Sequence, residues 1–275
     1  LVVSALKEVT VMNRLQETRP IWHAVAWIAI YVIAVNIGDW LSTLVGVPNL
    51  GASAVLVLLA VWLVVRLRKH GWLTYYGVRP LRRRDFNATL LYIPLLLIAL
   101  MQFTKGFRDD LDFTTVALII VLMVAVGFLE ELIFRGMLFR GIQRTSTLTR
   151  AVVISGVTFG IGHIVNLTRG MAPLDQAIQI AFGVTLGIVL ALLFAVTGTI
   201  VPLIAFHALL NISGNLTRAD AQAELVMLAA TTLVCAGYAG YLITVLRRRG
   251  PSPEISQPAP SDTAAAPPAR ASALT

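Results

Sequence analysis

The sequence predicts an all-α fold: a polytopic transmembrane bundle of about eight helices. Three observations lead there. The 275 residues are 57% hydrophobic and 13% charged, with a mean hydropathy of +0.80, whereas a soluble domain carries about a quarter charged residues. The apolar runs are too long for barrel strands, and lipid tolerates only helices or closed barrels because backbone polar groups must pair internally. The basic residues gather in every second loop, which is how polytopic proteins record their orientation.

The elements follow in order. Residues 1–20 form an N-terminal cytoplasmic segment; the chain opens LVVSALKEVT, with Met12 downstream, so residues 1–11 read as an upstream start, and no cleavable signal is evident. Apolar segments then run over roughly 21–45, 51–67, 87–104, 113–139, 150–167, 175–197, 199–215 and 224–246. The second, fifth and seventh are short, and little more than Thr197–Thr199 separates the sixth from the seventh. Gly183 and Gly187 in the sixth form a G-x-x-x-G, which permits close helix packing. Asp39, near the outer end of the first segment, reads as interfacial, and His23, His70, Trp22, Trp40 and Trp72 as interface anchors.

Loop charges test this count. Arg66, Arg68, Lys69, Arg79 and Arg82–Arg84 lie between segments two and three, Arg140, Arg144 and Arg150 between four and five, and Arg247–Arg249 after eight. The alternate loops are neutral or acidic, with three aspartates between Lys105 and Asp112. Both termini are therefore expected in the cytoplasm, and the Ala- and Arg-rich composition suggests a bacterial cell membrane. Residues 21–246 form the membrane domain, while the Pro/Ala/Ser-rich residues 247–275 are expected to be a disordered cytoplasmic tail. The net charge of +8 is thus a topology signal and not a sign of nucleic-acid binding. The single cysteine, Cys235, lies in an apolar run, which excludes a disulfide framework or a thiolate metal site.

Adjacent glutamates, Glu130 and Glu131, interrupt the apolar run from Phe113 to Phe139. Carboxylates at membrane depth cost at least about 2 kcal/mol and mark a partner or a water-filled cavity. His163 lies in segment five, and His207 with Asn211 in segment seven. At 1.5 Å per residue these groups fall in one layer about 12–20 Å from the cytoplasmic face. Glu131 and Arg135 are four apart and can form an ion pair. Glu130 is rotated by about 100° from Glu131, so one carboxylate can serve Arg135 while the other faces a cavity. His207 and Asn211 share a face, as do Phe159 and His163, with Gly160 and Gly162 making room and Asn166 placed to orient the His163 ring. Phe159, Asn166 and the Glu131–Arg135 pair read as support; Glu130, His163, His207 and Asn211 read as the reactive set.

In order along the chain, E-E-x-x-x-R (Glu130–Arg135), F-x-x-x-H (Phe159–His163) and H-x-x-x-N (His207–Asn211) resemble the CPBP family of intramembrane proteases. That family includes type II CAAX prenyl endopeptidases and bacteriocin-processing or self-immunity proteins. The resemblance covers roughly residues 110–215. It implies an eight-helix core with a polar cavity open to the cytosol, and cleavage of a peptide or membrane-anchored, lipidated protein near the cytosolic leaflet. It further implies that Glu130 and His163 activate a water, that His207 and Asn211 stabilise the oxyanion, and that Glu131 and Arg135 support the site.

The family is also called metalloprotease, and Glu130, His163 and His207 could hold zinc with an open position for water. H-E-x-x-H is absent, however, and a histidine beside an asparagine suits an oxyanion better, so a mechanism without a cofactor is favoured. Two other classes remain open: a proton-coupled transporter using the same groups as a relay, opposed by the lack of a duplicated half or paired broken helices, and a non-catalytic immunity or scaffold protein, opposed by the intact motifs.

Overall fold

The computed structural model describes residues 12–79 and 90–260. Among them are ten α-helices and no strand, only an isolated antiparallel bridge between Phe107 and Thr217. Residues 12–18 are helical and lead into α1 (Pro20–Val45), α2 (Leu50–Lys69) and the single-turn α3 (Trp72–Tyr75). After residues 80–89 come α4 (Ile93–Met101), flanked by 3-10 turns, and α5 (Phe113–Glu131), which continues as a π-helix over Leu132–Phe139 into α6 (Arg140–Thr145). Then follow α7 (Leu148–Gly162), ending in a 3-10 turn (His163–Arg169), α8 (Pro173–Thr197), α9 (Val201–Leu216) and α10 (Ala221–Arg249).

Each of the eight expected segments is helical over most of its described residues. Six stretches are long and apolar enough to cross a membrane: Pro20–Val45, Leu50–Lys69, Phe113–Thr145, Leu148–Leu167, Pro173–Thr197 and Ala221–Arg249. Leu90–Lys105 and Val201–Leu216 are shorter apolar helices. The second and fifth segments, which look short in the sequence, each reach 20 residues by taking in Leu50, Arg68 and Lys69 in one and Leu148 and Thr149 in the other; the seventh stays short. Leu58, Leu97 and Leu233 are exposed on the outside of the bundle, as expected where the solvent is hydrocarbon. The chain is a multi-pass integral membrane protein.

The helices alternate in direction, so the bundle has two chemically distinct ends. One carries the basic residues of α2, α6, α7 and α10; the other carries Asp39, the 106–112 connection and the 217–220 turn.

Small residues set how closely the helices approach. A Cβ on Gly160 would sit 2.4 Å from the Val184 backbone nitrogen, and one on Gly187 would sit 2.5 Å from the Gly156 carbonyl. The Gly183/Gly187 pair expected to permit close approach therefore interlocks with Gly156 and Gly160 of α7. Gly162 takes no part, since its Cβ would meet only the Phe134 ring at 3.7 Å. α1 and α2 cross in the same way at Gly38 and Gly51, and α5 meets α9 at Gly127.

Two expectations need correction. His23 is buried and accepts from the Trp27 indole at 3.0 Å, and Trp72 is buried against Tyr75 and Tyr76; neither is an interface anchor, whereas Trp22 and Trp40 are both 62% exposed. The N-terminal segment is packed from Met12 on, with Asn13 accepting from Arg66 and Gln16 donating to Tyr76. The stretch after α10 is also placed. Ser252 N donates to the Ala195 carbonyl, Glu254 pairs with Arg79 at 3.6 Å, and Ile255 is buried. Arg140 donates to the Glu254 and Ile255 carbonyls at 2.5 and 2.6 Å. Composition favours an unpacked chain there, but a buried guanidinium needs acceptors, and this segment provides them. The rest of the expected tail, 261–275, lies outside the described residues, as do 1–11 and Arg82–Arg84.

Candidate active site

Glu130 and Glu131 close α5 at mid-bundle, and the helix changes to π geometry at the next residue. The sequence reading takes this run as one regular helix. π turns are rare and concentrate at functional sites; here Ser155 of α7 donates to the Phe134 carbonyl inside the π segment at 2.8 Å.

His207 of α9 lies between the two carboxylates. Its Nδ1 is 2.9 Å from Glu131 Oε1 and its Nε2 is 3.5 Å from Glu130 Oε2. The 100° offset along α5 sends Glu131 to Arg135 and Glu130 to the cavity wall, as expected, yet both carboxylates also reach the same imidazole, from opposite sides. Glu131 is fully buried, and its Oε1 also accepts from Arg135 Nη1 at 2.9 Å. Arg135 in turn donates to the Gly187 carbonyl at 3.3 Å and lies 4.2 Å over the Phe159 ring. That reach depends on the interlocked α7–α8 glycines. Glu131 Oε2 and Arg135 Nε are buried without a hydrogen-bond partner among the described residues. An incompletely satisfied buried pair is a poor source of stability, so its worth lies in holding His207.

Glu130 is half-buried, and Tyr31 of α1 donates to its Oε1 at 2.7 Å. Sequence reasoning missed Tyr31. It lies outside all three motifs, 99 positions from its partner, and a tyrosine among apolar residues has many uses. One signal was present: a buried phenol needs a hydrogen-bond partner.

His163 begins the 3-10 turn after α7, and its Nδ1 is 3.1 Å from the Phe159 carbonyl. A carbonyl only accepts, so Nδ1 carries the hydrogen and the neutral ring keeps Nε2 as an acceptor. Asn166 was expected to orient this ring; it donates instead to Gln179 at 2.9 Å, and the Phe159 carbonyl takes the orienting role. The Phe159 ring packs edge-on against both imidazoles, with centroids 5.3 Å from His163 and 5.5 Å from His207. Asn211, one turn beyond His207, accepts from Asn215 through its carbonyl and shares with both histidines the wall between two cavities.

Those cavities differ. One of about 360 Å³ contains Glu130, Tyr31, His163 and His207 and continues past Asn36, Asp39 and Asn215. The other, of about 200 Å³, lies across the histidines, with Phe182, Leu186, Phe206 and Leu210 in its walls. At the basic end Leu132–Phe139 is buried throughout, and Arg140 packs against the 252–255 segment.

The zinc alternative meets the same geometry. Both nitrogens of His207 face carboxylates, and Nδ1 of His163 is committed to a carbonyl. Among the described residues no group of three histidine, cysteine, aspartate or glutamate side chains is placed to hold a metal ion. The donor set does not fit zinc.

Every side chain of the three motifs falls within residues 112–213, which match the family model for Type II CAAX prenyl endopeptidase Rce1-like proteins. No curated protein and no solved structure matches the chain. The chain therefore carries, over residues 112–213, a domain of the Rce1-like type II CAAX prenyl endopeptidase family, which is a family of proteases.

Proposed function

We propose that this protein is an intramembrane endopeptidase that hydrolyses a peptide bond with a carboxylate-activated water and without a metal. The observation that carries this reading is Glu130, held by Tyr31 at 2.7 Å and standing 3.5 Å from His207 on the wall of a polar cavity.

In this reading a water in the cavity gives a proton to Glu130 as its oxygen attacks the substrate carbonyl carbon. His163, an acceptor at Nε2, holds that water's second hydrogen. Negative charge then develops on the carbonyl oxygen. His207, as an imidazolium with its Nδ1–H on Glu131, donates to that oxygen from Nε2, and the Asn211 carboxamide donates beside it. A preplaced donor of this kind is typically worth about 2.7–4 kcal/mol of barrier. Collapse breaks the C–N bond, and the proton on Glu130 passes to the leaving nitrogen. Arg135 offsets the charge of Glu131, leaving Glu130 as the carboxylate available for proton transfer.

The deciding experiment uses detergent-purified protein and a peptide library, comparing wild type with Glu130→Gln and His207→Ala, with and without a chelator. Cleavage abolished by both substitutions and indifferent to chelator is the expected result. Cleavage lost to chelator and restored by zinc overturns the metal-free mechanism, and cleavage that survives both substitutions overturns the site.

A further inference from the structure

The two cavities share a wall, and one polar member of that wall lies outside the three motifs. Phe159, His163, Gln179, His207 and Asn211 line both cavities. Gln179 is the member without a motif, and it comes from α8. Its place there is not incidental. Gln179, Gly183 and Gly187 are spaced four apart and form one stripe of the helix. The Gly187 carbonyl accepts from Arg135, and a Cβ on Gly183 would stand 3.4 Å from His163 Nδ1. The stripe therefore faces the reactive layer along its length, and Gln179 stands one turn, about 5.4 Å, beyond the contact with His163.

The carboxamide is also held in one orientation. Its Oε1 accepts from Asn166 at 2.9 Å and from Gln176 at 3.4 Å. Asn166 belongs to the 3-10 turn that carries His163, and Gln176 is buried. An amide oxygen has two lone pairs, so both are engaged and the polarity of the group is set. Among the described residues nothing accepts from its Nε2. Packing accounts for the oxygen; it does not account for a donor held in a wall common to two cavities.

Resting on the proposed peptidase reading, we infer that Gln179 binds the substrate main chain, donating from Nε2 to a backbone carbonyl one or two residues from the scissile bond. A peptide bond placed at His163, His207 and Asn211 has one flank in each cavity, so its main chain runs along the shared wall. An extended chain advances about 3.4 Å per residue, which sets the distance to the carbonyl opposite Gln179. A peptide carbonyl among apolar helices is costly unless it is hydrogen-bonded. On this wall the histidines and Asn211 serve the reacting atoms and Phe159 offers no donor, which leaves Gln179. It fixes the register of the chain against Glu130, whatever side chains the substrate carries.

A cycle between enzyme and substrate tests this. Detergent-purified wild type and Gln179→Met are compared on one cleaved peptide and on versions of it with single backbone amides, the scissile one excepted, replaced by esters. An ester carbonyl is a poorer acceptor than an amide. Gln179→Met should lower kcat/KM about 5- to 150-fold, because a buried carbonyl loses its donor. In wild type one ester within two residues of the cut should lower kcat/KM. In Gln179→Met the same ester should cost nothing further, since the interaction is already gone. Gln179→Glu keeps the oxygen that Asn166 and Gln176 donate to and lacks the amino group, so it should show the same lost response even where Gln179→Met does not fold. Losses that add at every ester position mean that Gln179 only supports the turn beneath His163, and they overturn the inference, as does an unchanged kcat/KM in Gln179→Met. Either result leaves the peptidase reading standing where Glu130→Gln abolishes cleavage. A wild type that cleaves no peptide ends both.

Discussion

Nδ1 of His207 lies 2.9 Å from Glu131 Oε1, the same oxygen that accepts from Arg135. One fully buried carboxylate therefore holds both an imidazole and a guanidinium, and the E-E-x-x-x-R motif acts on α9 as much as on its own helix. Glu131→Gln should expose the cost. It leaves Arg135 charged and unpaired in the interior, and breaking a buried pair from one side costs about 3–5 kcal/mol. Thermal unfolding in detergent should show that loss. Adding Arg135→Met should recover much of the stability but none of the turnover, because His207 would still lack its anchor. Recovered turnover would show that Glu131 serves Arg135 alone.

Tyr31→Phe isolates the second support. The phenol donates to Glu130 at 2.7 Å and belongs to α1, outside the residues matched by the family model. A hydrogen bond to a charged group is worth about 1.5–3 kcal/mol, so turnover should fall about 10- to 150-fold. The unfolding temperature should fall by no more than this one bond accounts for, since a ring of the same shape stays in place. An unchanged rate would mean that Glu130 needs no fixed orientation.

These two residues show where sequence reasoning reaches and where it stops. Glu130, Glu131, His163 and His207 are legible because charged or titratable groups in apolar helices are costly, and helix rise puts them at one depth. Tyr31 carries no such penalty signal. The π segment is equally hidden: LIFRGMLF has the composition of an ordinary buried helix, and only packing against Ser155 and Tyr76 distinguishes it.

Gly160 and Gly162 separate a steric requirement from mere proximity to the site. A methyl at Gly160 would lie 2.4 Å from a backbone nitrogen of α8, which cannot move without parting the two helices. Gly160→Ala should therefore destabilise by about 1–3 kcal/mol through overpacking and lower turnover by displacing His163, three residues on. Gly162→Ala meets only a ring atom at 3.7 Å and should stay within about 0.5 kcal/mol of wild type. Equal unfolding temperatures for the two variants would contradict the interlocked packing.

The segment after α10 gives the last test, of a part whose composition suggests disorder. Arg140 is 1% exposed and places both terminal nitrogens on the carbonyls of Glu254 and Ile255. Ending the chain at residue 260 should leave stability unchanged, because those acceptors remain. Ending it at Gly250 removes them and leaves a buried cation short of partners, at a cost of about 3 kcal/mol. Arg140→Met in the shorter chain should restore part of that loss by removing the stranded charge, while the same substitution in the longer chain should be neutral or harmful. Equal stability of the two truncated proteins would mean that water reaches Arg140, and that the basic end is more open than its packing implies.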